Sequence, residues 1–142
     1  MEELVTLDIP AKAEYVVLCR LALAGLLMDR GFSDDAVADL KLALTEACTN
    51  SIRHAYPDGD CDAGTVHVSY TVRKDRVVLA VYDEGSGFDE DEPPLEQLAD
   101  GALLPSEGGM GMALIRAIVD EFLLERPPGG GTRLTLTKLR DA

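Results

Sequence analysis

With 142 residues, 46% of them hydrophobic and 27% charged, the chain has the size and composition of one globular domain and not of a disordered tract. Thirteen basic residues stand against 26 acidic ones, a net charge of −13 that disfavours direct binding of nucleic acid and of anionic membrane surfaces. No apolar run reaches the roughly 18 residues of a membrane span, the start Met1-Glu2-Glu3 is acidic, and Cys19, Cys48 and Cys61 form no CxxC pair, so one cytoplasmic domain over 1–142 without a zinc site is expected.

Leu4 to Ile9 places Val5, Leu7 and Ile9 on one parity, a short strand ended by Pro10. Residues 12–30 carry Tyr15, Val16, Leu18, Leu23, Leu26 and Leu27 at three- and four-residue spacings, predicting a helix that stops at Gly31. Ser33 offers an N-cap to a second helix, with Asp34 and Asp35 in the first turn where they complement the helix dipole. That helix runs to about Ala55, before the turn Pro57-Asp58-Gly59. Val66, Val68, Tyr70 and Val72 then alternate with His67, Ser69, Thr71 and Arg73, and Lys74-Asp75 turns the chain into an apolar strand over 77–82 that is expected to be buried on both faces. Residues 84–110 lose all periodicity and read as a long binding loop, with a lid at about 90–107. From Gly111 the pattern is helical, with Met112, Ile115, Ile118, Val119 and Phe122 inward; Phe122–Glu125 and Thr132–Leu139 read as strands around a tight turn at 127–131. This order predicts an α+β two-layer sandwich with helices on one face of the sheet.

Three places carry polar groups in patterns suited to chemistry. On the second helix Glu46, Asn50 and His54 are spaced i, i+4, i+8 and fall within an arc of about 80° beside the apolar stripe. They border Ala43, Ala47 and Cys48, whose small size is expected to leave room for a ligand. Alone, such a triplet is an ordinary solvated face. Asp83, at the end of the apolar strand, can accept a hydrogen bond from an amino group, and Gly85 and Gly87 after it allow close backbone approach. Gly108, Gly109 and Gly111 open the third helix, where free N–H groups and the dipole suit phosphate oxygens, while Met110 and Met112 between them suit packing. Neither a Walker A loop nor a dinucleotide fingerprint fits that glycine run. Thr132, opening the last strand, can present its hydroxyl beside Asp83.

In this order the motifs resemble the GHKL ATPase superfamily, whose boxes read Glu-x-x-x-Asn, Asp-x-Gly-x-Gly and Gly-x-Gly: here Glu46/Asn50, Asp83/Gly85/Gly87 and Gly109/Gly111. Within it the chain is similar to the anti-sigma-factor serine kinases, through residues 10–17 with Arg20, Thr45 to Tyr56, Asp83 to Asp89, Glu107 to Met112 and Val119 to Phe122. The resemblance implies the Bergerat fold: a mixed, mostly antiparallel sheet of about five strands with three helices on one face. It implies ATP or ADP as nucleotide and Mg²⁺ held by Asn50, with Glu46 as the catalytic base that takes the substrate hydroxyl's proton. Asp83 would bind the adenine amino group, joined by Thr132. Gly85, Gly87, Phe88, Gly108, Gly109, Met110, Gly111 and Met112 would complete the nucleotide pocket, with Arg53 and His54 near the phosphates. Arg20 would belong to a partner-binding surface. Where some relatives carry a lid arginine this chain has Glu107, so either another residue supplies that charge or the chain belongs with the general-stress branch, where an acidic residue is tolerated. The implied activity is phosphorylation of a small antagonist protein on serine, combined with holding a sigma factor, by a chain that is a homodimer. A switch kinase acting on a phosphatase and a non-catalytic nucleotide-binding regulator are the alternatives.

Overall fold

The structure, a computed structural model, describes residues 2–55, 64–84, 95–97, 103–105, 110–126 and 130–140. Seven strands, β1 (Glu3–Pro10), β2 (Thr65–Val72), β3 (Arg76–Asp83), β4 (Leu95–Gln97), β5 (Leu103–Pro105), β6 (Glu121–Glu125) and β7 (Thr132–Leu139), combine with helices α1 (Val16–Leu27), α2 (Asp34–Ala55) and α3 (Met110–Ile118). Five strands form one sheet in the order β1-β2-β3-β7-β6. All four of its pairings are antiparallel, in keeping with the mostly antiparallel sheet of about five strands that the resemblance implies.

One face of this sheet is the floor of the core. Val66, Val68, Tyr70 and Val72 of β2, Val77, Leu79 and Val81 of β3, and Leu134 and Leu136 of β7 are buried on it. The other parity is only half-buried: β3 alternates strictly, with Arg76, Val78, Ala80 and Tyr82 on the open face. The expectation that β3 is buried on both faces is therefore corrected. An antiparallel sheet with a single helix layer hides one side only, and the apolar Val78 and Ala80 lie on the wetter side.

Helix α2 is the centre of the upper layer. It packs against α1, α3 and β3. Its buried positions, Ala36, Leu40, Ala43, Leu44, Ala47 and Cys48, recur at three and four residues and form one stripe. Its start is capped as the sequence predicts: the Ala36 N–H donates to Ser33 Oγ at 3.1 Å, with Asp34 and Asp35 in the first turn. Helix α1 departs from the prediction at both ends. A 3₁₀ turn at Ala13–Tyr15 precedes it, and it stops at Leu27, where Met28 turns extended and Asp29 and Gly31 take positive φ of 61° and 86°. Within the stretch read as wholly irregular, β4 and β5 pair as a short antiparallel ribbon. The rest of the expected lid lies outside the described residues. No helix among the described residues is long and apolar enough to cross a membrane.

Because the Ser33 hydroxyl satisfies one of the otherwise orphaned N–H groups of α2, Ser33→Ala is expected to lower stability by about 0.5–2 kcal/mol. A urea midpoint that falls at unchanged m-value is the expected readout; an unchanged midpoint would show that the cap contributes nothing.

Candidate functional site

Among the described residues, Asp83 and Thr132 meet where the helix layer borders the sheet, within reach of α2. Asp83 ends β3 on the buried parity and is 1% exposed. A carboxylate in that position needs hydrogen-bond donors, since a lone buried charge is strongly disfavoured. One donor is Ser51 of α2, whose hydroxyl donates to Asp83 Oδ2 at 2.6 Å. This bond joins helix to sheet, and Ser51 was not among the predicted site residues. The signal was available: Ser51 follows Leu44 and Ala47 on the buried stripe, where a hydroxyl has to find a partner.

Thr132 stands directly across from Asp83 in the β3–β7 register, as expected from its place at the head of the last strand. The approach to that pair is tight. Gly131 has φ of +83°, and a Cβ on it would fall 2.0 Å from the Asp83 carbonyl oxygen. Only glycine suits both conditions. The space over the end of β3 is thus kept free of side chain on the β7 side.

On α2, Glu46 and Asn50 are half-buried at one border of the buried stripe, one turn apart. Asn50 Oδ1 accepts from Arg53 Nη2 at 3.4 Å, and Arg53 is exposed. Glu46 has no hydrogen bond or ion pair to another described residue, which leaves its carboxylate available. The bordering small residues behave differently from expectation. Ala43, Ala47 and Cys48 are themselves in the core, so their size serves close packing of α2 and not an open ligand space. Arg20 lies on the opposite flank of the stripe: its Nη1 donates to Thr45 Oγ1 at 3.3 Å, and Thr45 Oγ1 donates to the Lys41 carbonyl at 2.8 Å. The structure therefore brings Asp83, Thr132 and α2 together and sets Arg20 apart from them.

Met110 and Gly111 fall in the first turn of α3, and Met112 is buried in the core. His54 is in the last turn of α2, with its side chain outside the described residues; Gly85, Gly87, Phe88, Gly108 and Gly109 also lie outside them. Beyond Asp83, Glu84 is held at the open face, where His67 Nδ1 lies 2.7 Å from Asp8 Oδ1 and His67 Nε2 lies 3.4 Å from Glu84 Oε1. The second contact is an ion-pair distance without the alignment of a hydrogen bond.

The family described as histidine kinase-like ATPase domain matches residues 9–138. A serine-protein kinase RsbW of Bacillus pumilus is 37% identical over 147 residues, covering 96% of this chain and 85% of the relative. One from Listeria monocytogenes is 36% identical over 139 residues, covering 95% and 87%. Among solved structures, the RsbU and RsbW domains of a Mycobacterium tuberculosis protein superpose with a TM-score of 0.64 at 23% identity, over 97% of this chain and 33% of that one. The catalytic domain of the histidine kinase ThkA gives 0.54 at 11% identity, over 96% of each chain. At those identities the two structures speak for the fold alone.

Gly131→Ala is expected to cost about 2–4 kcal/mol, from positive φ and from overlap with the Asp83 carbonyl. Denaturant unfolding measures the loss, and amide exchange at 132–134 should accelerate with it. Parental stability would mean that the two strand ends can part freely.

Proposed function

The chain belongs to the histidine kinase-like ATPase family, and from that premise we propose that it is an ATP-dependent serine-protein kinase acting in the cytoplasm, phosphorylating a small antagonist protein and holding a sigma factor. The observation that carries this reading is the buried Asp83 carboxylate at the strand end, facing Thr132 and braced by Ser51, the residue that follows Asn50 on α2. That arrangement suits an adenine amino group: a fixed acceptor in a largely dry place gives a charge-assisted hydrogen bond. Residues 1–142 are taken as one domain, with the lid at about 90–107.

In this reading each group has one task. Asp83 accepts from the adenine amino group, with Thr132 beside it. Gly85, Gly87, Phe88, Gly108, Gly109, Met110, Gly111 and Met112 complete the nucleotide site, and the free N–H groups at the start of α3 receive phosphate oxygens. Arg53 and His54 approach the phosphates. Asn50 fits Mg²⁺ as a hard amide-oxygen ligand at the half-buried border of α2, and Mg²⁺ needs few protein ligands when phosphates and water supply the others. Bound Mg²⁺ would neutralise charge on the triphosphate. Glu46, unpaired among the described residues, orients the substrate serine hydroxyl and takes its proton at the carboxylate. Arg20, on the far flank of α2, belongs to the partner surface.

A homodimer is part of the proposal. Leu18 and Leu21 are exposed apolar residues on α1, and Met28 just past its end is exposed too, with Leu21 62% and Met28 69% exposed. Leu4 and Val5 of the edge strand β1 are also exposed. Gly25 lies on the same helix with nothing within 4 Å of its would-be Cβ, although a helix-interior glycine costs about 0.5–1 kcal/mol against alanine. Close approach of a second helix accounts for both features. An interface of at least about 1,000 Å² is required. Sedimentation at micromolar concentration is expected to show twice the 15.3 kDa chain mass; a monomer alone would remove the dimer.

The kinase reading is tested by phosphate transfer from labelled ATP to the antagonist's serine, with ATP affinity measured beside it. Glu46→Gln is expected to bind ATP nearly as the parent does and to lose about 10²–10⁴-fold in single-turnover transfer. A loose transition state would set the loss at the low end. Asn50→Ala is expected to lose Mg²⁺-dependent nucleotide binding as well. Transfer at the parental rate by Glu46→Gln would show that Glu46 is not the base.

A further inference from the structure

The seam between α1 and α2 follows a simple antiparallel register. Counting back from the connection at 28–33, one turn at a time, places Leu27 with Leu40, then Leu23 with Leu44, then Cys19 with Cys48. All six side chains are buried. The third layer thus substitutes two buried thiols for a leucine pair, and each thiol perturbs the titration of the other. Two further contacts fix this layer. Tyr70 donates its buried phenol to the Cys19 carbonyl at 2.9 Å, and the neighbouring Arg20 reaches Thr45 of α2. Both cysteines are free thiols.

We propose that Cys19 and Cys48 are a paired oxidation site that closes to an intrachain disulfide, fastening α1 to α2 between Glu46 and Asn50. The chemistry needs a two-electron oxidant, for which hydrogen peroxide serves. One thiolate attacks the peroxide oxygen, the O–O bond breaks, and a sulfenic acid forms with release of hydroxide. The second sulfur then displaces that oxygen as water, so two thiols and one peroxide become a disulfide and two waters. The two sulfurs are unlike. Hydrogen bonding from Cys48 holds the Cys19 thiol below the ordinary cysteine value, whereas hydrogen bonding to Cys19, followed by burial, pushes Cys48 up. Either thiolate of the pair can attack first. Oxidant reaches the pair through local opening of α1, a short helix with no side-chain cap at its N-terminus.

Closure matters because a disulfide holds its sulfurs at about 2.05 Å, well inside thiol–thiol contact. Cys48 must move toward α1, and Glu46 and Asn50 move with the same helical turn. Misplacement of reacting groups by about 1 Å is enough to cost on the order of 10²-fold in rate. This consequence rests on the site reading given above; the disulfide itself does not.

The full chain carrying Cys61→Ser, which removes the third thiol, is exposed to hydrogen peroxide and followed by intact mass, peptide mapping, ATP affinity and phosphate transfer. The expected result is a loss of about 2 Da, a cross-linked pair of peptides holding Cys19 and Cys48, and at least about a tenfold fall in transfer that dithiothreitol restores. Cys19→Ala and Cys48→Ala, made separately in that background, are expected to form no cross-link and to keep their transfer rate through the same exposure. Two thiols that remain alkylatable after unfolding, or a separate sulfinic acid on either cysteine, would overturn the site. A quantitative cross-link with ATP affinity and transfer both unchanged would overturn its coupling to α2. Reduced protein that binds ATP yet transfers no phosphate would count against the kinase reading alone, because mass and peptide maps still decide the disulfide.

Discussion

The structure turns on the burial of one carboxylate. Asp83 sits on the apolar parity of the central strand, in line with Val77, Leu79 and Val81, where the sheet would otherwise present another aliphatic side chain. Burial there is tolerable only with donors in place, and Ser51 supplies one at 2.6 Å. That requirement fixes the height and rotation of α2 over β3. The stripe of Ala43, Ala47 and Cys48 meets it by letting the helix come close. Gly131 meets it from the other side, by passing the Asp83 carbonyl at a distance no Cβ permits. Asn50 is placed most directly as a consequence, since it adjoins Ser51, and Glu46 follows one turn earlier.

The sheet and its helices were legible because their periodicities are clean. β2 alternates over eight residues, α2 carries a capping serine with two acids behind it, and α3 presents a narrow apolar face. Asp83 and Thr132 could be paired in advance for a related reason. Each lies at an end of a strand with an unambiguous pattern, so antiparallel register leaves little choice about what faces what. Family resemblance added roles that no spacing supplies, and the family match over 9–138 supports that membership.

What was missed has physical causes. The apolar run 77–82 has no visible alternation, because Val78 and Ala80 are apolar on the open face too; burial on one side only is a property of the layers and not of the strand. The last predicted turn of α1 gave way to backbone geometry: Asp29 and Gly31 both take positive φ, so the chain reverses just past Leu27, the last apolar residue of the pattern. The ribbon of β4 and β5 pairs three residues with three, too short for periodicity to announce. Ser51 was overlooked because a hydroxyl on a buried stripe resembles a small core residue until the opposing strand end is known to be a carboxylate.

Seven consecutive residues of α2 carry most of what the site needs. Thr45 faces α1 and receives Arg20; Glu46 lies about 100° further round; Cys48 meets Cys19; Asn50 lies one turn from Glu46; Ser51 holds Asp83. The outer surface of α1 is exposed, and its inner surface rests on α2 and β2. A partner that grips α1 would therefore reach the proposed nucleotide site through α2. It does so by displacing the same turn of α2 that the buried carboxylate holds. The tighter Asp83 and Ser51 hold that turn, the more a shift of α1 must be taken up by rotation of α2 about this anchor. Glu46, a turn and a half away on the half-buried border, moves further than Asn50 beside the anchor. In the proposed reading, such a lever would change proton transfer at Glu46 before it changes nucleotide binding at Asp83, the separation that lets partner contact govern chemistry without releasing the nucleotide.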